Sequence, residues 1–377
     1  MSGKDNALSP EKQYLLTLSD EEIRMLINAV QKSAKSAKVG NASGGVILPA
    51  SAKQKLSRLR KMPEQMKPKD DALWQEYTEA MLKLQVKLPG FYKDITDRQM
   101  YRKLRDACKE HMLPESFAEK MIPCVMEYVH TGYMTPVLLA GSPGCGKTTA
   151  AKILAEIMSL DYTLISAPAA DTNHGLGGDA SSFVGADIGM IARSQLDHQR
   201  LNPMLIIDEV EKAPHPFNRT ALADELLSVC DRSGNRFTDN YLGYPTDASS
   251  CVFIMTCNDL DKVSAPLRDR VDVFEFPDVE EERMERMMLS YYEEQVKKKF
   301  PDMFDMDPYF LMEATCSLYN NNVHSIRQHQ KLVDNILRNA YLTAMNQEND
   351  GKVIISKDMI HQQLEKMGCN KKRRIGF

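Results

Sequence analysis

The chain has 377 residues, a net charge of −4 and 43% hydrophobic residues, which is enough for one large domain or two to three smaller ones. No run of eighteen apolar residues is present, so no membrane span or membrane partner is expected, and the first thirty residues lack the features of a secretion signal. Eight scattered cysteines without a Cys-x-x-Cys pair argue against a zinc ribbon and indicate a reducing compartment, which we expect to be the cytoplasm.

The first 70 residues predict a short helix followed by a basic, flexible linker. Ser19 and Glu22 have the spacing of a helix capping box. Segment 32–45 is small, polar and glycine-containing, and segment 53–69 is basic and interrupted by prolines. Residues 1–70 contain thirteen basic and seven acidic residues, a net charge of +6, and four more basic residues lie at 371–374. Such segments can bind nucleic acid, although a charged run is more often merely solvated.

Further along, a helical pattern with breaks at Pro89-Gly90 and Pro114 predicts a helical N-terminal region over 71–135. The pattern then changes to short apolar runs, most of them separated by helical stretches: 137–140, 162–166, 204–208, 251–256 and 271–276. This alternation is typical of a parallel sheet covered on both faces, which we predict over 136–278. Residues 279–377 return to a helical pattern, with 353–355 as the one further strand-like run.

The sequence G-S-P-G-C-G-K-T at 141–148 matches in full a motif that cradles phosphates between a strand and a helix. Lys147 should reach the β- and γ-phosphates, and the Thr148 hydroxyl should bind magnesium. The predicted nucleotide-binding residues of this motif are Gly141, Ser142, Pro143, Gly144, Cys145, Gly146, Lys147, Thr148 and Thr149. Cys145 could have a lowered thiol pKa beside these donors, but a small residue that simply fits the turn is the preferred interpretation.

Two acidic residues follow the apolar run 204–207, at the end of a strand where such sheets place their ligands. Asp208 should hold magnesium through water, and Glu209 should orient and deprotonate an attacking water. Asn258 ends the next strand and is suited to holding that water against the γ-phosphate, although asparagine also ends strands as part of a turn. The predicted cofactors are therefore ATP and Mg²⁺, and the predicted reaction is ATP hydrolysis.

In this order the motifs resemble the AAA+ ATPases, and within them the ATPase module of the Lon proteases. F-V-G at 183–185 is similar to Lon's pore loop, D-E-V-E-K at 208–212 to its D-E-I-D-K, and segments 227–245 and 266–277 to two further Lon segments. The resemblance covers 136–300 well, 301–377 loosely and the first 130 residues not at all. It implies an α/β P-loop NTPase fold, with a parallel five-stranded sheet, a helical lid over 279–377 and the helical N-terminal region.

The resemblance also implies a hexameric ring with ATP at the subunit borders. Arg270 would be the arginine finger, with Arg268 as a second contact in trans, and a surface arginine at a helix end is the alternative. The sensor of the lid matches Arg327, which keeps the apolar register of the following helix, whereas a match to His324 leaves that register poor.

Lon continues into a peptidase domain, for which this chain has no room after the lid. The resemblance therefore implies an ATP-driven motor without its own protease, which remodels or unfolds protein clients through an axial pore. Phe183, Val184 and Gly185 would grip the client there, unless Phe183 folds back into a core. The alternative functions are a nucleic-acid motor or loader and an assembly platform switched by ATP.

Overall fold

The computed structural model describes residues 48–87, 96–172, 175–213, 222–231, 236–300, 303–346 and 352–368. The helix predicted after Ser19, the linker 32–45 and the basic tail 371–374 lie outside these ranges. The helices are α1 (Ala50–Lys61), α2 (Lys69–Met81), α3 (Asp97–Glu110), α4 (Glu115–Thr131), α5 (Lys147–Ile157), α6 (Met190–Asp197), α7 (Leu222–Cys230), α8 (Ala265–Arg268), α9 (Glu281–Lys299), α10 (Pro308–Asn320), α11 (Ile326–Asn346) and α12 (Lys357–Lys366). The strands are β1 (Val137–Ala140), β2 (Tyr162–Ser166), β3 (Met204–Asp208), β4 (Arg236–Asp239), β5 (Tyr244–Asp247), β6 (Val252–Cys257), β7 (Asp272–Glu275), β8 (Phe304–Asp305) and β9 (Val353–Ile354).

The centre of the fold is a parallel five-stranded sheet with the strand order β2-β3-β6-β1-β7. Side chains alternate along each strand, so Leu139 packs beneath α3, α4 and α5, whereas Leu138 packs beneath α6 and α7 on the other face. Strands β1 and β6 are buried along their whole length, as expected where helices cover both faces. The predicted fold class and its five strands are confirmed, with shifts of one residue at the ends of the last two.

Two short pairings lie outside the main sheet. The antiparallel hairpin β4–β5 was not predicted, and the parallel pair β8–β9 contains the strand-like run at 353–354. The hairpin carries Asp239, Tyr241 and Tyr244, which are buried against the elements that flank it. The hairpin therefore lies between the main domain and the N-terminal helices.

The prediction of a linker reaching residue 70 is wrong for its last part, because α1 is a helix whose Leu56 and Leu59 are buried. Helices α1 and α2 pack on the β4–β5 hairpin, where the Trp74 indole donates a 2.8 Å hydrogen bond to the Leu242 carbonyl. A long-range apolar contact of this kind cannot be recognised from a basic, proline-interrupted composition. The helix break at Pro114 is confirmed, since α4 begins directly after it, whereas Pro89-Gly90 lies outside the described residues.

The lid is formed by α9 to α12 around its own apolar core. Val333 and Ile336 of α11 are each 1% exposed, so the apolar register predicted for this helix is confirmed. The first residue of α11 touches the main domain, since the Ile326 N–H donates a 2.9 Å hydrogen bond to the Gly144 carbonyl. This contact brings the lid to the glycine-rich turn that follows β1.

Candidate functional site

The glycine-rich turn 141–146 connects β1 to α5 at the carboxyl edge of the sheet. Gly144 and Gly146 have φ angles of 81° and 107°, a backbone conformation that residues with a Cβ rarely adopt. Gly146 is the residue directly before α5, so the first N–H groups of that helix point toward the turn. Such a helix start is a ready site for phosphate.

Lys147 is 6% exposed and points back into the turn. Its ammonium donates hydrogen bonds to the carbonyls of Gly141 at 2.7 Å and Ser142 at 2.9 Å, and to Asn258 Oδ1 at 3.1 Å. No carboxylate partner of Lys147 within 4.0 Å occurs among the residues that the structure describes. Its ammonium also lies 3.8 Å from the Cys145 sulfur. A buried cation with these neutral partners is well suited to bind an anionic phosphate.

Asp208 ends β3 beside the phosphate turn. Its Oδ1 accepts hydrogen bonds from the hydroxyls of Thr148 at 2.7 Å and Thr256 at 2.6 Å. The Thr148 hydroxyl and the Asp208 carboxylate are hard oxygen ligands of the type that Mg²⁺ prefers, so the two predicted metal residues fit that ion. Thr256 was not predicted; it is a polar residue in the otherwise apolar strand β6, which is the signal that identifies it.

Glu209 has a φ of 59°, which is uncommon and strained for a residue with a side chain. Its N–H donates to the Thr256 hydroxyl at 3.1 Å, which fixes the backbone there. Its Oε1 accepts hydrogen bonds from Asn258 Nδ2 at 3.2 Å and from the Lys212 ammonium at 2.6 Å. The contact with Glu209 raises the pKa of Lys212. The structure thus brings the three predicted residues Asp208, Glu209 and Asn258 together with Lys147.

A cavity of about 210 Å³ opens at this edge of the sheet. Its lining includes the phosphate turn, Asp208, Glu209 and Asn258, and also residues that were not predicted: His111, Met112, Leu113, Ile153, Phe276, Arg283 and Met287. The loop between α3 and α4 therefore closes one side. Arg283 of the lid donates a 2.9 Å hydrogen bond from Nε to the Met112 carbonyl, and burial lowers its pKa. The apolar part of the lining suits a flat base, next to the turn that suits phosphates.

Of the two candidates for the lid sensor, Arg327 lines the cavity. His324 is instead packed edge-on against the Tyr319 ring, with 4.4 Å between the ring centroids. The sensor role of Arg327 stays a prediction. Cys145 is 2% exposed, and burial raises the pKa of its thiol, which supports the interpretation as a small residue that fits the turn.

Arg270 lies outside the cavity, on the surface after α8. Its guanidinium is exposed and donates a 2.8 Å hydrogen bond to the Pro266 carbonyl four residues earlier. Arg268 is half-buried at the end of the same helix. The structure does not bring either arginine to the nucleotide residues of its own subunit, so their predicted roles across a subunit border stay predictions.

The loop 179–189, which carries Phe183, lies in the connection between β2 and α6 and does not line the cavity. Phe183 is 65% exposed and Val184 is fully exposed, so the alternative that Phe183 folds into a core is wrong. Gly185 turns the tip with a φ of 81°. The loop is thus a projecting apolar tip.

Two buried carboxylates hold the base of this loop. Glu225 of α7 accepts hydrogen bonds from the N–H groups of Leu176 and Gly177, and Asp239 accepts one from the N–H of Gly189. Burial raises the pKa of Asp239 to about 6 and also raises the pKa of Glu225. A rigid base under an exposed tip was not predicted from sequence, because the partners are far apart in the chain.

The fold and the site together define a P-loop ATPase domain with a helical lid. Residues 137–278 match the family described as "ATPase family associated with various cellular activities (AAA)", so the chain carries a domain of that family. It is similar to the Lon protease of Clostridium beijerinckii, with 33% identity over 52% of this chain and 25% of the relative. It is also similar to the Lon protease of Campylobacter concisus, with 26% identity over 67% of this chain and 32% of the relative. The predicted resemblance to the AAA+ and Lon ATPase modules is confirmed.

The chain spans only about a quarter to a third of the length of these two relatives. Among solved structures, the closed state of Hsp104 with ATPyS and FITC casein is similar, with a TM-score of 0.57 and 18% identity over 71% of this chain and 52% of that one. This likeness supports the fold alone. No helix in the described part of the chain is both long and apolar enough to cross a membrane.

Proposed function

We propose that this protein is an ATP-hydrolysing ring motor that remodels or unfolds protein clients through an axial pore. The observation that carries the proposal is the convergence of Lys147, Asp208, Glu209 and Asn258 on one cavity, with the exposed Phe183 on a separate loop. The first set fits the chemistry of ATP, and the second offers an apolar contact without sequence preference. A cytoplasmic setting belongs to the proposal and is supported by the free thiols of all described cysteines.

The proposed reaction converts ATP and water into ADP, phosphate and a proton. The turn N–H groups and Lys147 bind the phosphates, and Asn258 holds the attacking water in line with the γ-phosphate. Glu209 takes a proton from that water as its oxygen bonds to phosphorus and the bond to the ADP oxygen breaks. Thr148 and Asp208 would hold Mg²⁺, which supplies charge neutralisation on the phosphate oxygens when it is bound.

In the proposed ring, a homo-hexamer, Arg270 would act on the ATP of the neighbouring subunit rather than on that of its own subunit. Its guanidinium is exposed and bonded only to a local carbonyl among the described residues, so it is available to a neighbouring molecule. A neighbour's ATP would accept this positive charge at the γ-phosphate. The similarity to Lon ATPase modules supports this arrangement.

The proposed client is a protein chain rather than nucleic acid. The tip of the loop, Phe183 and Val184, is apolar and carries no charge, which suits side-chain packing more than phosphate binding. Some of the basic residues of α1, which suggested nucleic acid, are paired with acidic residues of α2. Lys55 lies 3.0 Å from Asp71, and Arg60 lies 2.9 Å from Glu79. The nucleic-acid motor and the ATP-switched platform remain the alternatives.

Measuring ATP turnover alone, with fluorescein-labelled casein and with single-stranded DNA separates these functions. Stimulation by casein supports the proposal, stimulation by DNA alone supports the nucleic-acid motor, and no stimulation supports the platform. Glu209→Gln should bind ATP normally but hydrolyse it about 10²–10⁴ times more slowly, because the base is lost. A Glu209→Gln protein that turns over near the wild-type rate would remove Glu209 from this role.

Mixing two inactive variants tests the ring. Arg270→Ala should bind ATP yet hydrolyse it poorly, and Lys147→Ala should fail to bind it. A mixture should regain activity, because an intact arginine and an intact phosphate turn then meet at some subunit borders. A protein that is monomeric with ATP and fully active as Arg270→Ala would contradict the ring.

A further inference from the structure

We infer that Glu211 is a positioning residue for ATP hydrolysis, which fixes the side-chain amide of Asn258 with its oxygen toward Lys147 and its nitrogen toward Glu209. The inference rests on the proposed ATPase function of this site. Glu211 does not line the cavity, so it acts through Asn258 rather than on the nucleotide.

Glu211 and Asn258 are joined by two hydrogen bonds that end on one oxygen. Glu211 Oε1 accepts from the Asn258 N–H at 3.0 Å and from Asn258 Nδ2 at 3.1 Å. One bond holds the backbone of Asn258 just beyond the end of β6, and the other holds its side chain. Together they leave Asn258 little freedom to rotate about its side-chain bonds.

The charges around the amide decide which way it points. Nδ2 lies within hydrogen-bond distance of two carboxylates, Glu209 and Glu211, while Oδ1 accepts from the Lys147 ammonium at 3.1 Å. A flipped amide would place its oxygen against both carboxylates and its N–H groups against the ammonium. All three contacts would then be repulsive, so the charge pattern permits one orientation.

Local backbone geometry delivers Glu211 to this position. Glu209 has the left-handed φ of 59°, and the turn Val210–Lys212 follows it directly. This reversal carries Glu211 from the end of β3 to the end of β6, the neighbouring strand. The strained backbone at Glu209 therefore positions two side chains. It positions Glu209, the candidate base, and it places the Glu211 carboxylate where it orients Asn258.

The second oxygen of Glu211 indicates that this carboxylate is not there for stability alone. Oε2 is buried and has no hydrogen-bond partner among the residues that the structure describes. A buried acceptor without a partner is unfavourable to the folded state. The other oxygen, Oε1, accepts hydrogen bonds from Asn258. A carboxylate that is kept despite this loss of stability is expected where it orients a functional side chain.

The test is a double-mutant cycle between Glu211→Gln and Asn258→Ala, with kcat and KM for ATP measured in each protein. Glu211→Gln should lower kcat about 10–100-fold, the effect of a slightly misplaced catalytic group, with KM little changed because the phosphate-binding residues remain. The double variant should be no slower than Asn258→Ala alone, because Glu211 has nothing to orient once the amide is gone.

Asp259→Asn is the matched control. Asp259 is the next residue, its side chain is 42% exposed, and it bonds to Lys262 rather than to the nucleotide residues. Its kcat should equal that of the wild type. Glu211→Asp keeps the charge but shortens the side chain by one methylene. Its kcat should lie between those of wild type and Glu211→Gln, and it provides a test even if the glutamine variant folds poorly.

The inference is overturned if Glu211→Gln and Glu211→Asp both keep wild-type kcat, or if the losses from Glu211→Gln and Asn258→Ala multiply. A change in KM alone would also overturn it, since a positioning role acts on the chemical step. Failure of the proposed function is distinguishable, because the wild-type protein would then hydrolyse no ATP, or Glu209→Gln would hydrolyse it normally.

Discussion

Replacing Phe183 with alanine should cost little folding stability, because the side chain is 65% exposed. A fully buried phenylalanine removes about 150–250 Å² from water, so the buried third of Phe183 corresponds to roughly 50–90 Å². At about 25 cal/mol per Å², the loss is at most about 1–2 kcal/mol. The melting temperature should therefore fall by only a few degrees. Phe117→Ala is the matched control, since Phe117 is 0% exposed and its truncation should cost about 3–5 kcal/mol.

The same Phe183→Ala protein should lose its response to client. Hydrolysis without client should stay near the wild-type rate, because the loop does not line the nucleotide cavity. Stimulation by fluorescein-labelled casein should disappear, whereas Phe183→Tyr should retain it, since an exposed tip has room for a hydroxyl. Two results would refute this reasoning: a melting temperature lowered as much as in Phe117→Ala, or casein stimulation that survives the truncation.

Two further predictions concern the base of the loop. Burial raises the pKa of Asp239 from 3.8 to about 6, so the folded protein binds this proton more tightly than the unfolded chain. The resulting stabilisation is complete below about pH 4 and is lost as the pH rises through 6, a change of about 3 kcal/mol. Urea unfolding from pH 4 to 7 should show a smaller decline in Asp239→Asn than in wild type, and equal declines would contradict the assignment. Tyr77→Phe removes the hydroxyl that donates a 3.1 Å hydrogen bond to Asp187 at the end of the loop and accepts a 3.3 Å one from Arg193 of α6. Amide hydrogen exchange in 179–188 should quicken up to about fivefold, the equivalent of the one hydrogen bond to Asp187, while unchanged exchange would refute the tether.

The parts predicted correctly from sequence are those set by local pattern. Strands β1, β3 and β6 are nearly continuous apolar runs because both faces are covered, and such runs are visible without a structure. The phosphate turn is equally local, since its glycines, lysine and threonine are contiguous. Asp208 and Asn258 could be placed together because the carboxyl ends of parallel strands meet at one edge of the sheet.

The missed parts depend on contacts between distant segments. The sequence predicts a linker where α1 lies because the composition there is basic, yet the few apolar residues of α1 pack against the unpredicted hairpin β4–β5. Arg283 and Met112 lie 171 positions apart and meet only when the lid folds over the cavity. The pattern of charged residues and prolines indicates which segments are exposed to solvent. It contains no signal for the distant segment against which a helix packs.

Under the proposed function, the position of the loop on the sheet would give hydrolysis a short route to the client. Strand β2 precedes the loop and pairs with β3, with Ser166 opposite Asp208 in the register. The turn Ala167–Thr172, which continues β2, packs against the turn Val210–Lys212, which carries Glu211. A change in the contacts of Glu209 or Glu211 during the proposed hydrolysis would therefore act on the turn Ala167–Thr172, which precedes the loop. Because Glu225 and Asp239 hold the base of the loop by backbone hydrogen bonds, that displacement would move the loop as a unit and carry Phe183 with it. On this reasoning, loosening the base should uncouple client movement from hydrolysis even when both ends of the route are intact.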